Sequence, residues 1–207
     1  ITRYGYDRPV REGANQIKLY PRAHAGQETL NHQLTITGEP SVHCFTDYWG
    51  NTVGQYMVTE PHVNMEIDSR LTVRVTAPKA APLQVSQPNE WAELRASANA
   101  QLFLLDLAKP EKIEAVETAT QLVNDLRPDW DAPAMFIQRC AQHIFHHFEY
   151  QKGITTVETG VDEILRHQKG VCQDFAHVML QLLRMAGIPA RYVSGYICPN
   201  KDGMRGA

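Results

Sequence analysis

The sequence predicts an α+β chain: an antiparallel β-sandwich at the N-terminal end, followed by a mainly helical region. Residues up to about Ala77 fall into short alternating runs broken by turn formers, with little helical periodicity. Beyond Pro88, apolar residues recur at the i, i+3, i+4, i+7 spacing of helices with one buried face. Between the two, Ala77-Pro78-Lys79-Ala80-Ala81-Pro82 reads as a proline-punctuated linker or strap. The expected division is a sandwich over 1–77, a linker and connecting helix over 78–110, and a core domain over 111–207.

The strands come first in order. Asn15 to Tyr20 is a short strand ended by Pro21, and Glu28 to Thr37 alternates with Leu30, His32, Leu34 and Ile36 on one face. Gly38-Glu39-Pro40 is a turn. Val42 to Thr46, Val53 to Thr59 and Val63 to Thr76 are further strands, the last with an expected bulge near Ser69. Asp47 to Asn51 forms a turn, which Asp47 and Asn51 hold by Asx-type hydrogen bonds.

Helices follow. Glu90 to Leu107, Glu111 to Leu126, Asp131 to Phe148 and Val161 to His167 are helix-compatible, with Pro133 suited to a first turn. His143 and His147 are four apart, but no H-E-x-x-H accompanies them, so no metal site is expected. From Phe175, the residues Val178, Met179, Leu182, Leu183 and Ala186 make one apolar face. Gly187 closes that helix and Pro189 stops it continuing. Ala190 to Ile197 then reads as a strand, with Tyr192, Ser194 and Tyr196 on one face.

Composition narrows the function. The 207 residues are 43% hydrophobic and 21% charged, which suits one or two domains with real cores. The net charge of −3, with no Lys/Arg run, gives no footprint for nucleic acid. No apolar stretch approaches the roughly 20 residues that span a bilayer. Cys44, Cys140, Cys172 and Cys198 are scattered without a C-x-x-C pair, so neither a disulfide framework nor a zinc site is expected. A reducing, cytoplasmic setting follows, with no cofactor. Ile1 in place of Met, and an ending in Arg205-Gly206-Ala207, read as a chain cut at both ends.

Cys172 is the chemical focus. It stands after Gly170-Val171 where the apolar helix begins, in the positive potential of a helix N-terminus that suits a nucleophilic sulfur. The backbone N–H groups there are candidate donors to an oxyanion. A buried, inert cysteine is the alternative. Asp174 sits in the first turn as a brace, with Arg191 a candidate partner, and His177, more than a turn further on, reads as packing. Tyr150, Gln173 and Asp174 are the candidate lining or supporting residues.

Gly170-Val171-Cys172-Gln173-Asp174-Phe175-Ala176-His177, followed by Arg184-Met185-Ala186-Gly187-Ile188-Pro189-Ala190-Arg191-Tyr192-Val193-Ser194-Gly195-Tyr196, resembles the core of the bacterial transglutaminase-like superfamily. Phe148-Glu149-Tyr150 matches the F-x-Y with which that family ends the preceding helix. Thr2-x-Tyr4-x-Tyr6, Pro9-Val10, Leu19-x-Pro21-Arg22, Asp47-x-x-Gly50-Asn51 and His62 resemble the N-terminal module that precedes such cores.

The resemblance implies a papain-like fold, of which mainly the helical lobe is present, and a Cys-His-Asp triad with Cys172 as nucleophile. No histidine follows His177, so the triad's His and Asp are expected beyond residue 207, and these 207 residues alone are expected to be inactive. The implied activity is that of a cysteine peptidase or amidase on a peptide or protein. A crosslinking transamidase and a non-catalytic scaffold are the alternatives. With most of the sheet expected after Ala207, the apolar face of the Cys172 helix is expected to be partly uncovered, for self-association or a partner to cover.

Overall fold

The computed structural model describes residues 1–22, 24, 26–76, 89–127, 132–156 and 158–196. The linker at 78–82, Cys198 and the far end of the expected last strand lie outside these. The chain divides into two compact units, Ile1–Ala81 and Pro82–Ala207.

The first unit is built from six strands: β1 Thr2–Val10, β2 Gly13–Ile17, β3 Gln27–Ile36, β4 His43–Thr46, β5 Thr52–Val58 and β6 His62–Val75. They form two three-stranded antiparallel sheets, ordered β1-β6-β3 and β2-β5-β4. Alternation sends Ile17, Tyr56 and Val58 of one sheet into the same buried cluster as Ile36, Met65 and Ile67 of the other. The first strand, β1, has no counterpart in the hydrophobic alternation. The irregularities fall between Thr29 and Asn31 of β3 and between Gly5 and Val10 of β1, not near Ser69 as expected. Leu30, at the first of them, is turned outward and exposed, because one extra residue flips the facing pattern.

The turn after β4 is closed by Asp47. Its Oδ1 accepts the Asn51 N–H at 2.8 Å and its Oδ2 accepts the Asn51 side-chain amide at 2.9 Å. Lys18 Nζ adds an ion pair at 3.0 Å. The Asn51 bonds, with help from Lys18, hold the Asp47 carboxyl down at about 2.

The second unit is helical: α1 Glu90–Ala100, α2 Leu102–Leu107, α3 Val116–Leu126, α4 Pro133–His147, α5 Val161–His167 and α6 Cys172–Met185. Two short strands, β7 Glu149–Tyr150 and β8 Lys169–Gly170, pair in parallel. Phe136, Cys140 and Ile144 of α4 pack with Ala119 and Val123 of α3, Ile164 and Leu165 of α5, and Val178 and Leu182 of α6. Phe136, Val178 and Leu182 are completely or almost completely buried, so each contributes the stabilisation of a full core side chain. Burial lifts the Cys140 thiol to about 12.

Three expectations change here. The helix foreseen over 90–107 is two, because Gln101 is extended (φ −130°, ψ 115°) and serves both as the end of α1 and the start of α2. The helix foreseen from Glu111 begins only at Val116. The Glu111 backbone is held instead by the Gln181 side chain, which accepts from its N–H at 2.9 Å and donates to its carbonyl at 3.0 Å. Residues 190–196 form no strand, since no neighbouring strand among the described residues offers them a ladder.

The apolar face of α6 is more fully covered than expected: α3, α4 and α5 enclose Val178 and Leu182, while Phe175 and Met179 are partly buried. Among the described residues no helix is long and apolar enough to cross a membrane.

Because the Asp47 carboxyl is depressed, its stabilisation is complete above its ordinary value of 3.8 and is lost as pH falls to about 2. Acid unfolding followed by circular dichroism should show this loss in the parent protein. Asp47→Asn should be less stable near neutral pH and should lack that acid-dependent component.

Candidate active site

The site is assembled where β7, β8 and α6 meet. Phe148 ends α4, and β7 pairs with β8 so that Tyr150 lies opposite Gly170. Gln151 N–H donates to the Gly170 carbonyl at 2.9 Å. This fixes the two residues before Cys172. Val171 is extended and is the N-cap of α6, and its carbonyl accepts the first helical bond from Phe175 at 3.1 Å.

Cys172 is therefore the first residue of the helix, and its side chain is exposed. Residues 172–174 have no acceptors within the helix, and Val171 has no polar side chain to cap them. An exposed sulfur beside uncapped N–H groups can attack a carbonyl and leave its oxygen among hydrogen-bond donors. No hydrogen bond to the thiol occurs among the described residues.

Asp174 is the brace of this turn. It is 6% exposed. Its Oδ2 accepts the Val171 N–H at 2.8 Å and the Thr155 hydroxyl at 2.8 Å. The first bond is the carboxylate half of a capping box, formed without a reciprocal hydroxyl. A Cβ at Gly170 would stand 2.7 Å from the same oxygen and 2.9 Å from the Asp174 Cβ, so only glycine lets the strand pass. The brace expected of Asp174 thus runs to Val171 and Thr155.

Helix α6 ends as firmly as it begins. Gly187 has φ +82°, and its N–H donates to Arg184 while Ile188 N–H donates to Leu183, the two bonds of a Schellman motif. Leu183 and Ile188 are both buried, which supplies the hydrophobic contact of that motif. Arg184 then donates from Nε and Nη2 to the Ala190 carbonyl, at 3.1 and 2.9 Å.

The other candidates are placed as follows. Tyr150 and Gln173 are exposed, Tyr150 one strand across from Gly170 and Gln173 beside Cys172. His177 stacks on Tyr192, with ring centroids 5.2 Å apart and planes 14° from parallel. His143 and His147 stack at 4.2 Å on α4; no metal-ligating group of three forms among the described residues. Burial and the neighbouring His147 lower the His143 pKa. Cys44, Cys140 and Cys172 are free thiols. Thr155 is the functional neighbour that the sequence pattern did not single out, because its partner lies 19 residues away.

A shallow depression of about 170 Å³ adjoins the helix start, and Glu111, Val161, Ile164, Gln173, Asp174 and His177 line it. Removing the Thr155 hydroxyl strips a hydrogen bond from a buried carboxylate, so Thr155→Val should cost about 1–3 kcal/mol in urea unfolding, with Thr155→Ser restoring most of it. Gly170→Ala should cost a similar amount, about 1–3 kcal/mol, by overpacking.

Comparison with known proteins agrees with this architecture. Residues 1–74 match the bacterial transglutaminase-like N-terminal region, and residues 120–206 match the transglutaminase-like superfamily core. An uncharacterized protein of Mycobacterium tuberculosis is 36% identical over 217 residues, covering 99% of this chain and 68% of the relative. An uncharacterized protein of Mycobacterium leprae is 28% identical over 205 residues, covering 99% of this chain and 72% of its own length. The crystal structure of a protein from Cytophaga hutchinsonii, named a putative cysteine protease, shares the fold with a TM-score of 0.66 at 18% identity. That match takes in 90% of this chain and 62% of the other. With both family regions matched in order and a 36% identical relative aligned along nearly the whole of this chain, the chain belongs to the transglutaminase-like superfamily, with the bacterial transglutaminase-like N-terminal region at its start.

Proposed function

We propose that the chain carries the nucleophile of a cysteine peptidase or amidase. The observation that carries this is the exposure of Cys172 as the first residue of a helix whose first-turn N–H groups are uncapped. Cys172 Sγ, having lost its proton to a base, attacks a peptide or amide carbonyl. The resulting oxyanion accepts hydrogen bonds from N–H groups of the first turn. The C–N bond then breaks, the amine leaves with a proton returned by the base, and a thioester remains on Cys172. Water attacks the thioester and releases the acid and the thiol. An amine in place of water gives transamidation.

The superfamily arrangement supplies the base as a histidine oriented by an aspartate, and this reading assigns both to sequence after Ala207. Asp174, already bonded to Val171 and Thr155, is a positioning residue. His177, held against Tyr192, has a packing role. The free thiols suit a reducing, cytoplasmic setting.

Alkylation with iodoacetamide, followed site by site by mass spectrometry against pH, tests the nucleophile. Cys172 should react faster than the exposed Cys44, while Cys140, buried and shifted to about 12, should stay unmodified in the folded state. In the complete protein, Cys172→Ala should abolish hydrolysis of a casein substrate without changing the unfolding free energy by more than about 1 kcal/mol. Hydrolysis that persists in that variant removes Cys172 from catalysis and leaves a scaffold role.

A further inference from the structure

Cys172 stands between the two ends of one clamp. Val171 before it and Asp174 after it are joined by the bond from the Val171 N–H to Asp174 Oδ2, at 2.8 Å. The carboxylate is thereby engaged with the N-cap residue's own N–H. Val171 has no polar side chain, so the N–H groups of 172–174 are left without a side-chain acceptor. A carboxylate in the first turn of a helix is drawn to those same N–H groups. A second donor holds it away from them.

That donor is Thr155. Its hydroxyl reaches the same Oδ2 at 2.8 Å, a charge-assisted bond to a carboxylate that is 6% exposed. The loop that carries Thr155 is tied on both sides. Before it, the Gln151 N–H donates to the Gly170 carbonyl at 2.9 Å. After it, the Thr156 N–H donates to the Thr159 hydroxyl at 2.9 Å and the Thr159 N–H to the Thr156 carbonyl at 3.1 Å, directly before Gly160, the N-cap of α5. The hydroxyl is therefore preset, and threonine suits it, because β-branching leaves χ1 fewer choices than serine has. On its other side the carboxylate lies against Gly170, where even a Cβ would stand 2.7 Å from Oδ2.

We infer that Thr155 is a positioning residue for the reaction proposed for Cys172. By engaging Asp174 Oδ2 it keeps that carboxylate turned to the N-cap, and so keeps the N–H groups of 172–174 free for the oxyanion formed at the attacked carbonyl. The inference rests on the role proposed for Cys172. Without the Thr155 hydroxyl, Oδ2 has one donor where it had two. A buried carboxylate short of a donor takes another, and the free donors of the first turn belong to its own turn of helix. The oxyanion then loses donors and meets a negative charge in their place.

Two probes of Cys172 in the complete protein separate positioning from simple reactivity. The first is acetyl-phenylalanyl-glycinal, labelled with ¹³C at the aldehyde carbon. The thiol adds across its carbonyl: the S–C bond forms, the C=O π bond breaks, and the thiol proton passes to the oxygen of the resulting hemithioacetal. The adduct is read by NMR and assigned to Cys172 by its loss in Cys172→Ala. The second is iodoacetamide, whose substitution at a methylene carbon builds no oxyanion. Thr155→Val should weaken the aldehyde adduct about tenfold and change the iodoacetamide rate at Cys172 by less than about twofold, with Thr155→Ala behaving alike and Thr155→Ser recovering most of the affinity. Val123→Ala, a truncation in the core of α3 that lowers stability without touching the clamp, should leave both probes unchanged. An equal loss in Val123→Ala, or equal slowing of both probes in the Thr155 variants, overturns the inference and leaves Thr155 a purely structural residue. A parent adduct indifferent to Thr155 sinks this inference alone. A parent that forms no adduct at Cys172 removes the oxyanion role itself, and the inference with it.

Discussion

The bond between Asp174 Oδ2 and the Val171 N–H does more for this molecule than its length of 2.8 Å conveys. It fixes the residue before Cys172 against the residue two beyond it, so the first turn of α6 is specified at both ends. Thr155 brings the loop after β7 to the same oxygen, and the β7–β8 pairing holds that loop's start. One acceptor thus ties the start of α6 to a loop 19 residues earlier. A carboxylate makes this economical, because each oxygen accepts more than one hydrogen bond and the negative charge lies within the first turn of a helix, where the dipole favours it.

Elements that depend on their own residues were legible in the sequence. Pro133 opens α4, the Val161–His167 span of α5 is bounded by residues of fitting charge, and Gly187 closes α6 in the conformation its type permits. The Asp47–Asn51 turn was equally readable, since an Asx bond is a local event. Cys172 could be placed at a helix start for the same reason. The misses share the opposite cause. The chain leading into α3 is held by Gln181 at Glu111, 70 residues away, and by Asp162 at the Ala115 N–H, 47 residues away, and no spacing rule contains that. Thr155 likewise looks like an ordinary loop residue until Asp174 is folded against it. A strand over 190–196 was inferred from alternation, but alternation supplies only the faces and a strand needs a partner.

The two units solve different packing problems with little help from charge. In the first, alternating side chains from two sheets close on one cluster, and the exposed ion pairs Arg3–Glu66 and Arg74–Glu28 decorate the outside, where such pairs contribute little. In the second, α6 is enclosed by α3, α4 and α5, and its polar residues work by hydrogen bonding: Gln181 to a loop, Arg184 to the turn after the helix. The Cys172 end of α6 is thereby backed by a core that exists without any bound partner. That is the preorganisation the role proposed for Cys172 requires.

The clearance at Gly170 couples two positions in the sequence space open to this chain. With 2.7 Å between a notional Cβ and Asp174 Oδ2, residue 170 can acquire a side chain only if residue 174 shrinks or turns away. A smaller residue 174 in turn strands the Val171 N–H and the Thr155 hydroxyl. Neither site can drift alone, so a homologue that breaks the glycine should be found to have rebuilt the whole turn, including its partner in the loop after β7.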